Sequence, residues 1–93
     1  MKLNSIYRKC KQTPWQEMND EVLVMTPNEK TVHELNSVAG FIFKQVDGNT
    51  NVQSLLEKLL NEYDVTEETA NKDLDTLLSS LTLKGLIEVT EAH

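Results

Sequence analysis

The sequence is poor in the residues that carry covalent, metal or phosphate chemistry. Cys10 is the single cysteine, so no internal disulfide can form. The two histidines, His33 and His93, stand far apart, which leaves no metal-ligand spacing. The three glycines, Gly40, Gly48 and Gly85, are isolated from one another, so there is no glycine-rich phosphate loop. No nucleophile has a partnered base in the sequence, and the fifteen acidic side chains are spread over helix surfaces. A binding module is therefore expected, without catalytic residues, cofactor or metal. Apolar runs fall far short of the ~20 residues that cross a bilayer. Met1–Trp15 has no apolar core segment of the kind a signal peptide carries. The default expectation is a cytoplasmic protein with no membrane partner.

The chain of 93 residues is long enough for one domain and one modest core. Its 39 % apolar and 26 % charged residues are ordinary for a soluble globular fold. Charge is uneven. Residues 1–20 carry four basic and two acidic side chains, and residues 21–93 carry five basic and thirteen acidic ones. A DNA-phosphate partner prefers the opposite sign.

The chain turns a corner at Lys30–Gly48. Lys30–Leu35 is rich in β-branched residues and reads as a strand. Asn36 or Ser37 then caps a helix whose apolar face is Val38, Phe41, Ile42 and Val46, ended by Asp47-Gly48. Before this corner the pattern is sheet. Met1–Thr13 is a basic stretch expected as a partly ordered arm, or as a segment that pairs with the sheet or a partner. Pro14 marks the entry to a short strand, Trp15–Met18, with Asn19-Asp20 as a turn. Glu21–Thr26 is the strongest strand signal, and Pro27-Asn28-Glu29 connects it to Lys30–Leu35 at hairpin length. On the last strand Thr31, His33 and Leu35 share one face, and Val32 and Glu34 the other. His33 reads as a strand histidine, hydrogen-bonded or half exposed.

After the corner the pattern is helical. Thr50 and Gln53 have capping-box spacing, and Val52, Leu55, Leu56, Leu59, Leu60 and Tyr63 form a continuous apolar stripe. Thr66 caps a last helix with Glu67 and Glu68 in its first turn. Ala70, Leu74, Leu77, Leu78 and Leu81 make its apolar face, and Gly85 closes it. Leu86–Val89 is a short extended tail, and Thr90–His93 is expected to fray. Three helices followed by an extended segment have the order of a winged helix-turn-helix. The expected fold is α+β, with a three-stranded antiparallel sheet packed on a three-helix bundle.

Several of these features, in this order, resemble the PqqD family, that of coenzyme pyrroloquinoline quinone synthesis protein D, whose fold is also known as the RiPP recognition element. They are Leu35-Asn36 before an apolar helix, Asp47-Gly48, Val52 opening a leucine-rich helix to Tyr63-Asp64-Val65, then Asp73, Leu77, Leu81 and Gly85-Leu86-Ile87. The resemblance covers roughly Glu21 to Val89. The loop Asn49–Asn51 and the basic arm depart from the family pattern.

The resemblance implies a peptide chaperone for natural product biosynthesis. In that family the leader of a ribosomally made precursor peptide adds as a strand in the cleft between the third strand and the third helix. It is presented to a modifying enzyme, often a radical SAM protein, or to a leader peptidase. Carried onto this chain, the peptide-binding residues are Lys30, Thr31, Val32, His33, Glu34 and Leu35 on the strand, with Asp73, Leu74, Leu77, Leu78 and Leu81 on the helix. An exposed edge strand has unpaired N–H and C=O groups that an added strand can satisfy. Successive amides of a strand face opposite neighbours, so only one of the Val32 and Glu34 N–H groups is expected to face the peptide.

The expected organisation is an arm, residues 1–13, and a peptide-binding domain, residues 14–93, acting as a monomer or weak dimer. Two alternatives share the helical order. One is a winged-helix DNA-binding regulator, disfavoured by Glu67, Glu68, Asp73 and Asp75 against Lys72 alone. The other is a non-catalytic subunit of an enzyme complex.

Overall fold

The sheet forms around one strand that buries every second side chain. In the computed structural model, which describes residues 2–11, 13–19, 21–26 and 29–90, strands β2 (Trp15–Met18), β3 (Glu21–Thr26) and β4 (Thr31–Leu35) pair antiparallel in the order β2-β3-β4. Val22, Val24 and Thr26 of β3 point into the core, and Glu21, Leu23 and Met25 point away from it. In the register, Val22 faces Leu35, Val24 faces His33 and Thr26 faces Thr31. The expected turn residues Asp20, Pro27 and Asn28, and the tail residues Glu91–His93, lie outside the described residues.

Three helices follow: α1 (Ser37–Gln45), α2 (Val52–Glu62) and α3 (Glu67–Leu83). Asn36 caps α1, its Oδ1 accepting from the Ala39 N–H at 2.9 Å. Thr66 caps α3 through the Thr69 N–H at 3.2 Å. The cap of α2 is Asn51, which accepts from the Ser54 N–H at 2.9 Å, and not Thr50. Thr50 is engaged earlier: its N–H and hydroxyl, together with the Asn49 N–H, bond the Asp47 carboxylate. Those bonds, led by that from the Asn49 amide, hold the Asp47 carboxyl below its usual pKa.

The core joins β3 and the end of β4 to all three helices. It contains Val22, Val24 and Leu35, then Ile42, Phe43 and Val46, the α2 stripe from Val52 to Leu59, Ala70, Leu74, Leu78 and Leu81 of α3, and Leu86 and Ile87 after it. The α1 face is rotated from the expected one. Phe43 is fully buried, and Val38 and Phe41 are only partly so. Phe43 packs edge-to-face with Trp15, with ring centroids 5.6 Å apart at 84°. A helix placed between a sheet and two other helices buries more than one stripe, so its period alone does not name its innermost residue.

Residues 1–13 were expected as an arm with two readings, and the structure bears on both. β1 (Tyr7–Lys9) pairs antiparallel with β5 (Ile87–Val89) in a separate two-stranded sheet, Tyr7 facing Val89 and Lys9 facing Ile87. Thr90 extends this pairing through its N–H to the Ile6 carbonyl at 2.8 Å, so the tail is not frayed there. Lys9 lies over the Trp15 and Phe43 rings, at 5.4 and 5.1 Å from their centroids, and donates to the Val46 carbonyl at 2.6 Å. Burial pushes its pKa down, and the Asp47 charge partly opposes that shift.

Gly40 sets the distance between α1 and the sheet. A Cβ at this position would stand 2.8 Å from Cγ2 and 3.2 Å from Cβ of Val22, which is itself buried and β-branched. Gly40→Ala should therefore cost about 1–2 kcal/mol, overpacking outweighing the gain in helix propensity. Urea denaturation measures this, and a variant more stable than the parent would show that α1 can move off β3 freely.

Candidate functional site

The phase of main-chain bonding in the sheet decides which groups are free at its edge. The Met25 N–H donates to the Pro14 carbonyl at 2.8 Å, so Met25 faces β2. Alternation then turns Leu23 and Glu21 toward β2 as well, and Val22, Val24 and Thr26 toward β4. Their partners on β4 are Leu35, His33 and Thr31, whose main-chain groups are thereby used. The N–H and C=O of Val32 and of Glu34 point the other way, off the free edge. The expectation that only one of those two amides faces outward is corrected: they are two residues apart and share a direction.

Beside this edge lies a groove of about 480 Å³. One wall is the end of β4 and the corner into α1, Glu34–Asn36 with Val38 and Ala39. The other is α3, which presents Asp73, Thr76, Leu77, Ser80, Leu81 and Lys84. These residues recur at three- and four-residue spacing, so they form one stripe along the helix, next to the stripe that enters the core. The corner is braced by Tyr63, whose hydroxyl stands 3.3 Å from the Ser37 hydroxyl and whose ring packs edge-to-face with Phe41, centroids 5.7 Å apart. The groove is apolar in the middle, at Leu77 and Val38, with Asp73 and Lys84 eleven residues apart on its helical wall.

The structure brings together Glu34, Leu35, Asp73, Leu77 and Leu81 of the residues named from sequence. Leu74 and Leu78 are core residues instead, 0 % and 2 % exposed, because they lie one helical stripe away from the groove. Lys30 precedes β4 with φ +53°, in the left-handed region, and belongs to the turn. Thr31 and His33 lie on β4 away from the groove lining; His33 Nε2 is 3.4 Å from the Thr26 hydroxyl. Asn36, Val38, Ala39, Thr76, Ser80 and Lys84 complete the groove and were not named for it. The helical period through Asp73 and Leu77 leads to Thr76, Ser80 and Lys84, but small polar residues carry no pattern of their own that marks a site.

Val32 lies on the opposite face of the sheet. There Met25 and Val32 are 46 % and 54 % exposed, and with Pro14, Trp15, Gln16 and Leu23 they line a shallow hollow of about 260 Å³. Among the described residues, no group of three or more His, Cys, Asp or Glu side chains is placed to hold a metal, and no helix is long and apolar enough to cross a membrane.

The family described as Coenzyme PQQ synthesis protein D (PqqD) matches residues 21–87. No curated protein matches the chain. Among solved structures, the chain is similar to one described as TbiB1 in complex with the TbiA(beta) leader peptide. The TM-score is 0.80 at 22 % identity, over 87 % of this chain and 94 % of that one.

The two stripes of α3 separate in a stability measurement. Leu78→Ala should cost ~2–5 kcal/mol as a core cavity. Leu77→Ala, which trims a half-buried groove wall, should cost less than half as much. Equal losses in urea would place Leu77 in the core and close the groove.

Proposed function

We propose that this chain, which belongs to the family of coenzyme PQQ synthesis protein D, is a peptide-binding adaptor. It takes the leader of a ribosomally made precursor peptide as a strand added antiparallel to β4 and presents it to a separate modifying enzyme. The observation that carries this reading is the free edge at Val32 and Glu34 with a groove beside it. Main-chain bonds to those two residues supply sequence-independent affinity. Alternate side chains of the added strand then enter the groove against Leu77 and Leu81, where burial of apolar surface supplies selectivity. The similarity to a chain of the same fold in complex with a leader peptide supports a leader peptide as the ligand.

On this reading the chain has no reaction of its own. Its partner enzyme is of the radical SAM type or a leader peptidase, it works in the cytoplasm, and it acts as a monomer or weak dimer. The peptide-binding domain is residues 14–93, and residues 1–13 are an arm held down through β1 and Lys9.

Proline at the edge tests the mode of binding, because at Val32 it deletes a main-chain donor without touching the groove lining, and at Glu34 it deletes a donor and replaces one lining side chain. Val32→Pro and Glu34→Pro should each reduce affinity for a leader peptide at least tenfold, about 1.4 kcal/mol, with the domain still folded. His33→Pro removes a bond to Val24 within the sheet and should mainly destabilise. The measurement is a titration of a fluorescent leader, taken from a short reading frame beside the chain's own gene, with circular dichroism as the folding control. If both folded edge variants bind as the parent does, the peptide does not add to β4.

The helical order also suits a winged-helix DNA-binding protein, but the acidic helical region opposes it. No binding of random duplex DNA is expected at physiological salt. A gel shift at micromolar protein that fades with added salt would favour the DNA reading.

A further inference from the structure

A strand added to β4 has two faces, and the groove can read only one of them. The other joins the outer face of the sheet, on which the alternation of β4 places Val32 and Glu34, although Glu34 also borders the end of the groove. We propose that this outward face is read as well, and that the chain selects peptides with a basic residue two positions before an apolar one. The inference rests on the strand-addition reading and adds to it the chemistry of the peptide.

The argument starts from the bonding phase. Val32 and Glu34 offer their main-chain groups to the added strand, so each exchanges both bonds with the peptide residue directly opposite. Directly opposed residues in an antiparallel pair place their side chains on the same face, with Cβ atoms roughly 5 Å apart. The two peptide residues opposite Val32 and Glu34 therefore stand on the outer face, and the residue between them points to the groove side.

The outer face is chemically divided. Glu34 is exposed, and its neighbour across the ladder in β3 is Leu23, which offers no counter-charge. The two ion pairs found among the described residues, Arg8–Glu88 and Lys44–Glu17, do not involve it. A basic side chain on the added strand would supply the missing partner. Val32 faces Met25 across the ladder, and both are largely exposed beside the apolar hollow. An apolar, preferably β-branched or aromatic, residue opposite Val32 would cover that surface. Direction fixes the order. β4 runs from Val32 to Glu34, so an antiparallel peptide meets Glu34 first. The pattern is basic, then a groove-facing residue, then apolar.

A phage-displayed library of random dodecapeptides, panned over the full chain and over Glu34→Lys, tests this. The parent should enrich a lysine or arginine two residues before an apolar residue, and Glu34→Lys should turn that basic position acidic while leaving the apolar one. In titrations of a selected peptide, reversing the charge at that position should weaken binding to the parent about two- to fivefold and strengthen binding to Glu34→Lys. Enrichment of the same peptides by both proteins would overturn two-sided reading and leave strand addition standing. The reverse order, apolar before basic, would mean a parallel strand and overturn the pattern. Failure of either protein to enrich any peptide would overturn the peptide-binding reading and this inference together.

Discussion

A main-chain amide on a strand can face only one neighbour, and in this protein that constraint propagates from a single bond. The Met25 N–H is taken by the Pro14 carbonyl. Pro14 has no N–H to return, so the ladder between β2 and β3 ends there with its phase already set. From that phase follow the residues of β3 that hold β4, the residues of β4 that are used, and the two that are left over. The free edge is a by-product of how the opposite side of the sheet begins. It is also the kind of edge that proteins usually cover or charge, and here Glu34 places a charge on it.

The groove depends on a second constraint, the corner from β4 to α1. Leu35 is buried, Asn36 caps the helix, and Gly40 lets the helix lie against Val22. That contact brings the first turn of α1 level with the end of the strand, so Val38 and Ala39 become a wall of the groove. The opposite wall is a face of α3 whose neighbouring face is core. Both walls are thus anchored by buried residues, and side chains held from one flank have less freedom to lose when a strand is bound.

Much of this was legible in the sequence. The β-branched, uncharged run after Glu21 and the stripes of α2 and α3 are local patterns, and they mark the main strand, the helices and most core residues. The edge strand and five groove residues followed from the same patterns and the family resemblance. Where reading failed, the missing information was non-local. Whether Leu77 or Leu78 faces the groove depends on the rotation of α3 about its axis, a matter of packing and not of period. Phe43 entered the core because α1 is covered on more than one side. Lys30 looked like strand by composition but sits in the left-handed turn conformation. The pairing of β1 with β5 has no local signature at all, since three-residue strands give too short a pattern to read.

That last pairing has a consequence for the order in which the protein assembles. Arg8 and Glu88 are 80 residues apart in sequence, so β1 and β5 close a loop that contains nearly all of the chain. Contacts of such long range carry the largest closure entropy and form after shorter-range ones have shortened the loop. Ile87 of β5 is buried in the core and Tyr7 of β1 packs against it, so β1 adds a clasp over an interior that β5 helps to fill. That pairing should be among the last in the molecule to form, and once open it frees the β1 amides to exchange with solvent.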